Sequence, residues 1–205
     1  MGQGTSLLAL AVVKRALHEC KLQGCSVELP FDEIKEHEEK CNWRLVLCPS
    51  LGSNCRAMVP FCTMIDHVGV CTGFLNKCPE ALVGDTFYGT FVRTTAEDGG
   101  ENRSWRTEVY QREGKLFFCR FVKRDGKYTL DVVMGGTKEE CKKYVVKASV
   151  MNTVYEASFP PRPLGKQNEA KFCLSLNQGD ISEVWKNNKQ HNGYCIVYKV
   201  QIKKL

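Results

Sequence analysis

Eight side chains in the first 71 residues form two sets of three cysteines and one histidine. A block from Cys25 to Cys41 recurs 30 residues later as Cys55 to Cys71, and one further cysteine precedes each block. Zinc binds four such ligands in a tetrahedron, and a set that leaves no open position is typical of a structural site. The sequence therefore predicts two structural zinc ions per chain. The predicted ligands are Cys20, Cys25, His37 and Cys41 in the first set and Cys48, Cys55, His67 and Cys71 in the second.

The last two ligands of each set are four residues apart, which places both side chains on one face of a helix. The stretch Phe31–Lys40 is predicted to be that helix, because Pro30 suits a first turn and acidic residues follow it. A loop or hairpin from Cys20 to Cys25 would supply the other two ligands, and the second copy would repeat the arrangement. Each module is too small to build its own core, so metal binding would supply folding energy.

Two alternatives to metal binding remain for the cysteines. The chain contains twelve cysteines, an even number, so the first alternative is that they form disulfides in a secreted domain. The second alternative is that they are ordinary buried thiols. The histidine at the same place in both copies favours zinc. His18 and His191 are isolated and are expected to be solvated. The cysteines without ligand spacing, which are expected in the core or at the surface, are Cys62, Cys78, Cys119, Cys141, Cys173 and Cys195.

The net charge of +6 lies entirely in the second half, since residues 1–84 carry −1 and residues 85–205 carry +7. Basic surface can attract nucleic acid, acidic lipid or acidic protein. No cluster of Lys and Arg alternates with aromatic residues, and the zinc modules lack the basic helix of a DNA-reading finger. We therefore expect no nucleic-acid partner and interpret the charge as a contribution to solubility.

The N-terminus holds a short apolar segment, Leu7–Val13, far shorter than the roughly 20 residues that span a bilayer. Positive charge follows this segment instead of preceding it, the wrong order for a signal peptide. We expect residues 1–18 to form a linker helix against the first zinc module, and no transmembrane segment. Residues 1–6 also fit the N-myristoylation pattern, with a flexible N-terminus as the alternative. The expected compartment is reducing, which means the cytoplasm or the nucleus.

From Asp85 onward, short segments rich in Val, Tyr, Phe and Thr are separated by turn residues. This spacing predicts an antiparallel β-sandwich, for which about 120 residues suffice to build a core. Two helical turns are expected, a capped one from Thr137 to Lys143 and another from Asp180 to Asn187. The predicted strands are Thr86–Val92, Trp105–Gln111, Lys115–Val122, Lys127–Met134, Tyr144–Met151, Tyr155–Phe159, Lys171–Leu176 and Tyr194–Lys203.

Enzyme signatures do not stand out in the sequence. It contains no phosphate-binding glycine loop, no nucleophilic serine elbow and no distinctive pair of carboxylates. The cysteines that pair with histidines are better used as metal ligands than as nucleophiles. We therefore expect a binding protein that does not act as an enzyme by itself.

The first half resembles the zinc-finger region of the seven-in-absentia type, and the second half looks like the TRAF-like sandwich that follows it in that family. The resemblance covers about residues 6–203. In the second half it is carried by Gly84–Asp85, Val133–Cys141 and Phe172–Leu174. In the first half it is carried by Cys20, Gly24, Cys25, Leu29, Pro30, His37 to Cys41, Arg44, Cys48, Pro49, Cys55 and His67.

The resemblance implies a mostly β fold, with tandem zinc fingers over residues 19–80 and a TRAF-like sandwich over residues 81–205. It implies the substrate-recognition part of a ubiquitin ligase, in which a RING finger just upstream recruits the ubiquitin-conjugating enzyme. The sandwich would dimerise and bind an extended degron peptide along a strand edge. Asp85, Trp105 and Val109 occupy positions that would contact this peptide. As alternatives, Trp105 and Val109 are core residues and Asp85 is a turn residue.

The sequence departs from the family pattern in two places. No RING precedes Cys20, so we expect an adaptor that recognises client peptides and transfers no ubiquitin by itself. The second ligand set ends in Cys71, where relatives commonly carry a second histidine, and zinc accepts either ligand. The alternatives are a RING-less signalling scaffold with no ubiquitin role and an inhibitory paralogue that pairs with full ligases.

Overall fold

The computed structural model of the chain describes residues 16–50, 55–74, 85–93, 102–151, 153–165, 174–177, 180 and 194–205. The chain divides into two compact units. The first comprises Met1–Val46 and Met58–Ile65, and the second comprises Leu47–Ala57 and Asp66–Leu205. The predicted boundary between the zinc modules and the sandwich, at residues 80 and 81, lies outside the described residues and stays a prediction.

The first module, Leu17–Cys41, consists of a hairpin followed at once by a helix. Pro30 has a φ of −55°, which suits both the end of a strand and the position before a first helical turn, and the predicted bounds of the helix are confirmed. The helix buries Ile34 against Cys20 and Cys41. Its elements are strand β1 (Leu17–Glu19), strand β2 (Glu28–Pro30) and helix α1 (Phe31–Lys40).

The predicted linker helix over residues 1–18 does not continue into the described residues. Residues 1–15 lie outside them, and Leu17–Glu19 is a strand because it pairs antiparallel with β2, with Leu17 opposite Pro30. His18, which was expected to be solvated, is instead half-buried. Its ring stands edge-on to that of Phe31, with the centroids 5.6 Å apart.

The second module, Leu45–Cys71, repeats the order of hairpin and helix, but its helix is seven residues long where α1 has ten. A 3-10 turn takes the place of the first helical turn. The N–H of Phe61, at the start of this turn, donates to the carbonyl oxygen of Arg44 at 3.0 Å. The elements are strand β3 (Leu45–Leu47), strand β4 (Met58–Pro60), the 3-10 turn (Phe61–Thr63) and helix α2 (Met64–Val70).

The β-rich body that follows contains two sheets. Its elements are β5 (Thr86–Arg93), β6 (Arg103–Ser104), β7 (Glu108–Arg112), β8 (Lys115–Arg124), β9 (Lys127–Met134), helix α3 (Lys138–Cys141), β10 (Tyr144–Val150), β11 (Glu156–Phe159), β12 (Arg162–Pro163), β13 (Leu174–Asn177) and β14 (Tyr194–Lys204). The first sheet has the strand order β11-β10-β14-β5. In the second sheet β9 and β8 are central, β12 and β13 pair with β9, and β6 and β7 pair with β8. Strand β12 runs parallel to β9, and the other described pairs in this body are antiparallel.

One apolar core lies between the two sheets, and the expectation of a mostly β fold is confirmed. The first sheet contributes Val146, Val200 and Ile202, and the second contributes side chains such as Phe117 and Leu130, all at most 1% exposed. Each strand turns alternate residues toward this core, which is the pattern expected of a sheet with one buried face.

The core also encloses a carboxylate, that of Glu108, which is 5% exposed. The hydroxyl groups of Tyr198 and Tyr110 donate to its Oε2 at 2.6 Å and 2.8 Å. Gly89 of β5 lies against the same group, since a Cβ there would overlap both the Tyr198 ring and the carboxylate. A buried carboxylate is costly unless donors surround it, so the two tyrosines and the glycine act together.

Seven of the eight predicted strands are observed, with ends that differ by at most two residues where they are described. Of the predicted strand Trp105–Gln111, only the part from Glu108 onward is a strand, β7, and Trp105–Thr107 separates it from β6, which ends at Ser104. The capped turn at Thr137 is confirmed, because its hydroxyl and the Glu140 carboxylate form a capping box. The turn at Asp180 is described only at its first residue. No helix among the described residues is both long and apolar enough to span a membrane.

Candidate metal centres

The first module brings its four predicted ligands together. Cys20 follows β1, Cys25 lies in the turn before β2, and His37 lies in the last turn of α1, at whose end Cys41 stands. The four ligand atoms all lie within 4.8 Å of one another. The Sγ of Cys25 is 3.3 Å from Nε2 of His37.

The second module assembles its set in the same way. Cys48 follows β3, Cys55 precedes β4, and helix α2 supplies His67 with Cys71 directly after its last residue. These ligand atoms also lie within 4.8 Å of one another. The Sγ of Cys55 is 3.7 Å from Nε2 of His67, and the sulfur atoms of Cys48 and Cys71 are 4.0 Å apart. Both histidines therefore face their cluster with the same ring nitrogen.

The two sets fit zinc in donor type and in distance. Zn–S bonds of about 2.3 Å and Zn–N bonds of about 2.0 Å, at tetrahedral angles, place neighbouring ligand atoms about 3.5–3.8 Å apart. The observed separations of 3.3, 3.7 and 4.0 Å bracket this range. The structure thus contains two clusters that could each hold a zinc ion, which fits two zinc ions per chain. A bound ion would tie the hairpin of each module to its helix.

Backbone N–H groups point at the cysteine sulfurs of both clusters. One of them, that of Trp43, lies 3.4 Å from Sγ of Cys41. Such bonds stabilise the thiolate, which is the form of cysteine that binds zinc. These donors could not be predicted from the sequence, because every residue type except proline supplies a backbone N–H. The four donors are Val27, Trp43, Ser50 and Ala57, each two residues after the cysteine that accepts from it.

The thiols of each cluster differ in how readily they ionise. The backbone N–H of Val27, with smaller help from the other ligands, lowers the pKa of Cys25 to about 7, whereas burial raises the pKa of Cys41 to about 11. The second cluster repeats the contrast: a backbone N–H lowers the pKa of Cys55, and burial raises the pKa of Cys48 to about 12. Adjacent thiolates repel one another, so a dication is the partner that lets all three ionise together.

The remaining cysteines do not join either cluster. The 4.0 Å between the sulfur atoms of Cys48 and Cys71 is about twice a disulfide bond of about 2.0 Å. All cysteines whose side chains the structure describes are free thiols, so none of them forms a disulfide. Cys62 is exposed, and Cys119 and Cys141 are buried, as expected. The side chains of Cys78, Cys173 and Cys195 lie outside the description.

Two residues that the sequence analysis did not assign to the site shape the first cluster. Gly24 precedes the ligand Cys25 and has a φ of +95°, a conformation that side chains disfavour. A Cβ at this position would also lie 2.5 Å from a ring carbon of Trp43. Both the backbone conformation and the nearby Trp43 ring therefore require glycine at position 24. A glycine next to a ligand and a tryptophan just after the last ligand were the available signals.

The three residues predicted to bind a peptide have different surroundings. Asp85 directly precedes β5 and forms an ion pair with Arg112 of β7. Trp105 is half-buried and packs edge-on against Phe121, with ring centroids 5.0 Å apart. Val109 has no exposed surface, so it is an interior residue in this conformation. A role for Asp85, Trp105 and Val109 in peptide binding stays a prediction.

Comparison with known proteins finds relatives at modest identity. The chain is 29% identical to the E3 ubiquitin-protein ligase SINAT5 of Arabidopsis thaliana over 117 residues, which are 56% of this chain and 36% of that protein. It is 22% identical to the E3 ubiquitin-protein ligase sina of Drosophila melanogaster over 185 residues, 89% of this chain and 52% of that protein. The chain thus spans between about a third and about half the length of these curated relatives. No protein-family model matches it.

The ligand geometry and these relatives lead to the same assignment. Two sets of three cysteines and one histidine stand in tandem, as the resemblance in the sequence implied. The chain is accordingly a relative, at modest identity, of the seven-in-absentia E3 ubiquitin-protein ligases, and its two clusters fit the zinc fingers of that type.

Proposed function

We propose that this chain is a zinc-binding adaptor that recognises protein substrates for ubiquitin-dependent degradation. The observation that carries the proposal is the similarity to E3 ubiquitin-protein ligases, which extends over 89% of the chain. The metal sites support a binding role, since ligand sets of three cysteines and one histidine leave no open position for catalysis.

The proposed client site lies along β5. This strand stands at one end of the first sheet, and an extended peptide adds most readily to such an end. Tyr88 of β5 is 58% exposed and offers an aromatic contact. Next to it, Phe87 stacks on Tyr110 of β7 with centroids 3.6 Å apart, so the two sheets meet firmly behind the strand. Asp85, whose side chain is 42% exposed, adds a negative charge at the start of the strand.

The assembly completes the proposed activity. The adaptor acts as a dimer, either of two such chains or of one chain with a related ligase. A RING finger, wherever it is supplied, recruits the ubiquitin-conjugating enzyme, and this chain by itself transfers no ubiquitin. The proposed compartment is the cytoplasm, with the nucleus as a second site of action.

The direction in which client half-lives change when the chain is removed tests the proposed function. Proteins that associate with the chain in cells are first identified by proximity labelling, and their half-lives are then measured with and without the chain. A degradation adaptor shortens client half-lives, so removing it lengthens them. Unchanged half-lives favour a signalling scaffold, and shorter half-lives after removal favour an inhibitory paralogue. Either of these two results contradicts the proposal.

A charge variant with a matched control locates the client site. Asp85→Asn removes the exposed carboxylate beside β5 and is expected to weaken labelling of the same clients. Asp125→Asn removes another exposed carboxylate, in the turn between β8 and β9, and should leave labelling unchanged. Equal effects of the two variants would move the client site away from β5 but leave the degradation function standing.

A further inference from the structure

The chain that leaves the second metal cluster enters the sandwich through Phe74. This side chain is 1% exposed although it lies only three residues after the ligand Cys71. Its ring stands edge-on to that of the ligand His67, with centroids 6.5 Å apart and an angle of 88°. It also packs against Phe118 of β8, with centroids 5.9 Å apart. One aromatic ring thus contacts both a metal ligand and a central strand.

The backbone at Phe74 is joined to the sandwich as well. The carbonyl oxygen of Gly73 accepts a hydrogen bond of 3.0 Å from the N–H of Thr107, and Phe74 forms a parallel bridge with Thr107. Thr107 has no exposed surface and directly precedes β7. In β7, Val109 lies opposite Phe118, so the ring contact and the backbone bond hold two paired strands.

The face that receives Phe74 is the side of the second sheet that is turned away from the apolar core. Phe118, Val109 and Val133 share this face because they alternate with core residues along their strands, and each has no exposed surface. Leaving Phe118 uncovered would expose a large apolar side chain to water. The second cluster and the sandwich also belong to the same compact unit, whereas the first cluster belongs to the other one.

We infer that Phe74 couples zinc binding at the second cluster to the stability of strands β7 and β8, and that the first cluster has no such coupling. Binding of a structural zinc ion is folding energy for its module, so a bound ion fixes His67 and with it the Phe74 ring. Packed side chains carry such coupling between neighbouring elements. The effect is reciprocal: a stable sandwich tightens zinc binding at the second cluster by the same factor.

Amide hydrogen exchange in zinc-loaded protein tests the inference with a matched pair of variants. Cys41→Ser and Cys71→Ser each remove the last ligand of one cluster, and both cysteines are buried. Cys71→Ser is expected to speed exchange of the β7 and β8 amides by at least about tenfold, because local opening becomes easier. Cys41→Ser should leave those rates unchanged. Equal acceleration by both variants, or none by Cys71→Ser, would overturn the inference.

The ring itself is tested by Phe74→Leu, which keeps an apolar contact for Phe118 but removes the aromatic edge from His67. This variant should retain two zinc ions by elemental analysis. Adding Cys71→Ser to it should then speed β7 and β8 exchange clearly less than in the wild-type background. An undiminished effect in the double variant would show that another contact carries the coupling and would remove Phe74 from this role. Because the readout is exchange rather than client lifetime, the result is independent of the proposed function.

Discussion

The two zinc modules have the same ligands but use the residues after the last ligand in different ways. After Cys41 the chain turns back, and Trp43 covers Gly24 of its own module. At the aligned positions after Cys71 the chain holds Gly73 and Phe74, which contact the sandwich. The tryptophan after the first cluster thus packs on its own module, whereas the residues after the second cluster join that module to the body that follows.

The helices of the two modules also differ in the side chains that they carry. Helix α1 is acidic and has Asp32 and Glu33 in its first turn, whereas α2 leaves Ile65 43% exposed and Val70 76% exposed. The ligands are alike because zinc requires their type and spacing, whereas residues outside the metal's reach are free to differ. Two copies of one metal site can therefore differ in what the residues after the last ligand contact, which is the same module in the first copy and the sandwich in the second.

Removing one histidine should have the largest effect of the changes that test this comparison. Structural zinc sites have apparent binding energies of about 10–16 kcal/mol, and a set that lacks one ligand binds poorly. His37→Ala and His67→Ala should each lower the zinc content from two ions per chain to one, measured by elemental analysis. Only His67→Ala should also lower the melting temperature of the sandwich.

The matched control for the histidine variants is Cys62→Ala, which removes an exposed thiol outside both clusters. It should retain two zinc ions. Loss of zinc in this variant, or a full zinc content in either histidine variant, would contradict the ligand assignment.

Gly24→Ala should have an intermediate effect, a loss of zinc affinity that is confined to the first module. A side chain at a positive φ costs about 1–2 kcal/mol, and overlap with the Trp43 ring adds about 1–3 kcal/mol. The zinc affinity of the first cluster, measured by competition with a chelator, should fall accordingly. The melting temperature of the sandwich should not change.

Gly114→Ala separates the two costs, since Gly114 also has a positive φ, +71°, but nothing lies within 4 Å of the added methyl group. This control should show the conformational cost without the overlap, and it should act on the sandwich instead of the zinc affinity. If Gly24→Ala left the zinc affinity unchanged, the packing of Trp43 on Gly24 would not contribute to metal binding at the first cluster.

The smallest effect is expected from the ion pair on α1. Lys40 lowers the pKa of Glu36 by hydrogen bonding and charge, so the pair stabilises the helix above the ordinary pKa of a glutamate. That contribution is lost as the pH falls through the lowered value. Lys40→Met should raise the Glu36 pKa toward its ordinary value in an NMR titration. The second module has Val70 in place of the lysine, so an unchanged Glu36 pKa would remove this difference between the modules.

The candidate site could be predicted almost completely from the sequence, because its ligands are identified by a repeat within the chain. All eight ligands and the bounds of α1 depend on local spacing, which a sequence displays directly. The contacts of Gly24 and Phe74 could not be predicted in this way, since they depend on residues 19 and 44 positions away in the chain, Trp43 and Phe118. Distance along the chain is what separates the two cases.

The fold could be predicted where strands are long enough to have a pattern. The turn residues Asp125-Gly126 and Gly135-Gly136, on either side of Lys127–Met134, predicted the bounds of β9. Strands β1 to β4 have three residues each, too few to alternate, and were not predicted. The break between β6 and β7 follows from the bond of Thr107 to Gly73, which the local sequence does not contain. Val109 has no exposed surface, and its predicted role in peptide binding stays a prediction.

Gly89 has a consequence for how the sandwich is assembled. It lies opposite Tyr198 in the pairing of β5 with β14. A slip of β5 by one residue would put Tyr88 or Thr90 against the Tyr198 ring and the carboxylate of Glu108, where even a methyl group does not fit. Misaligned pairings are a common trap in the folding of β proteins. The glycine at position 89 therefore favours the observed register of β5 on β14 over a register shifted by one residue.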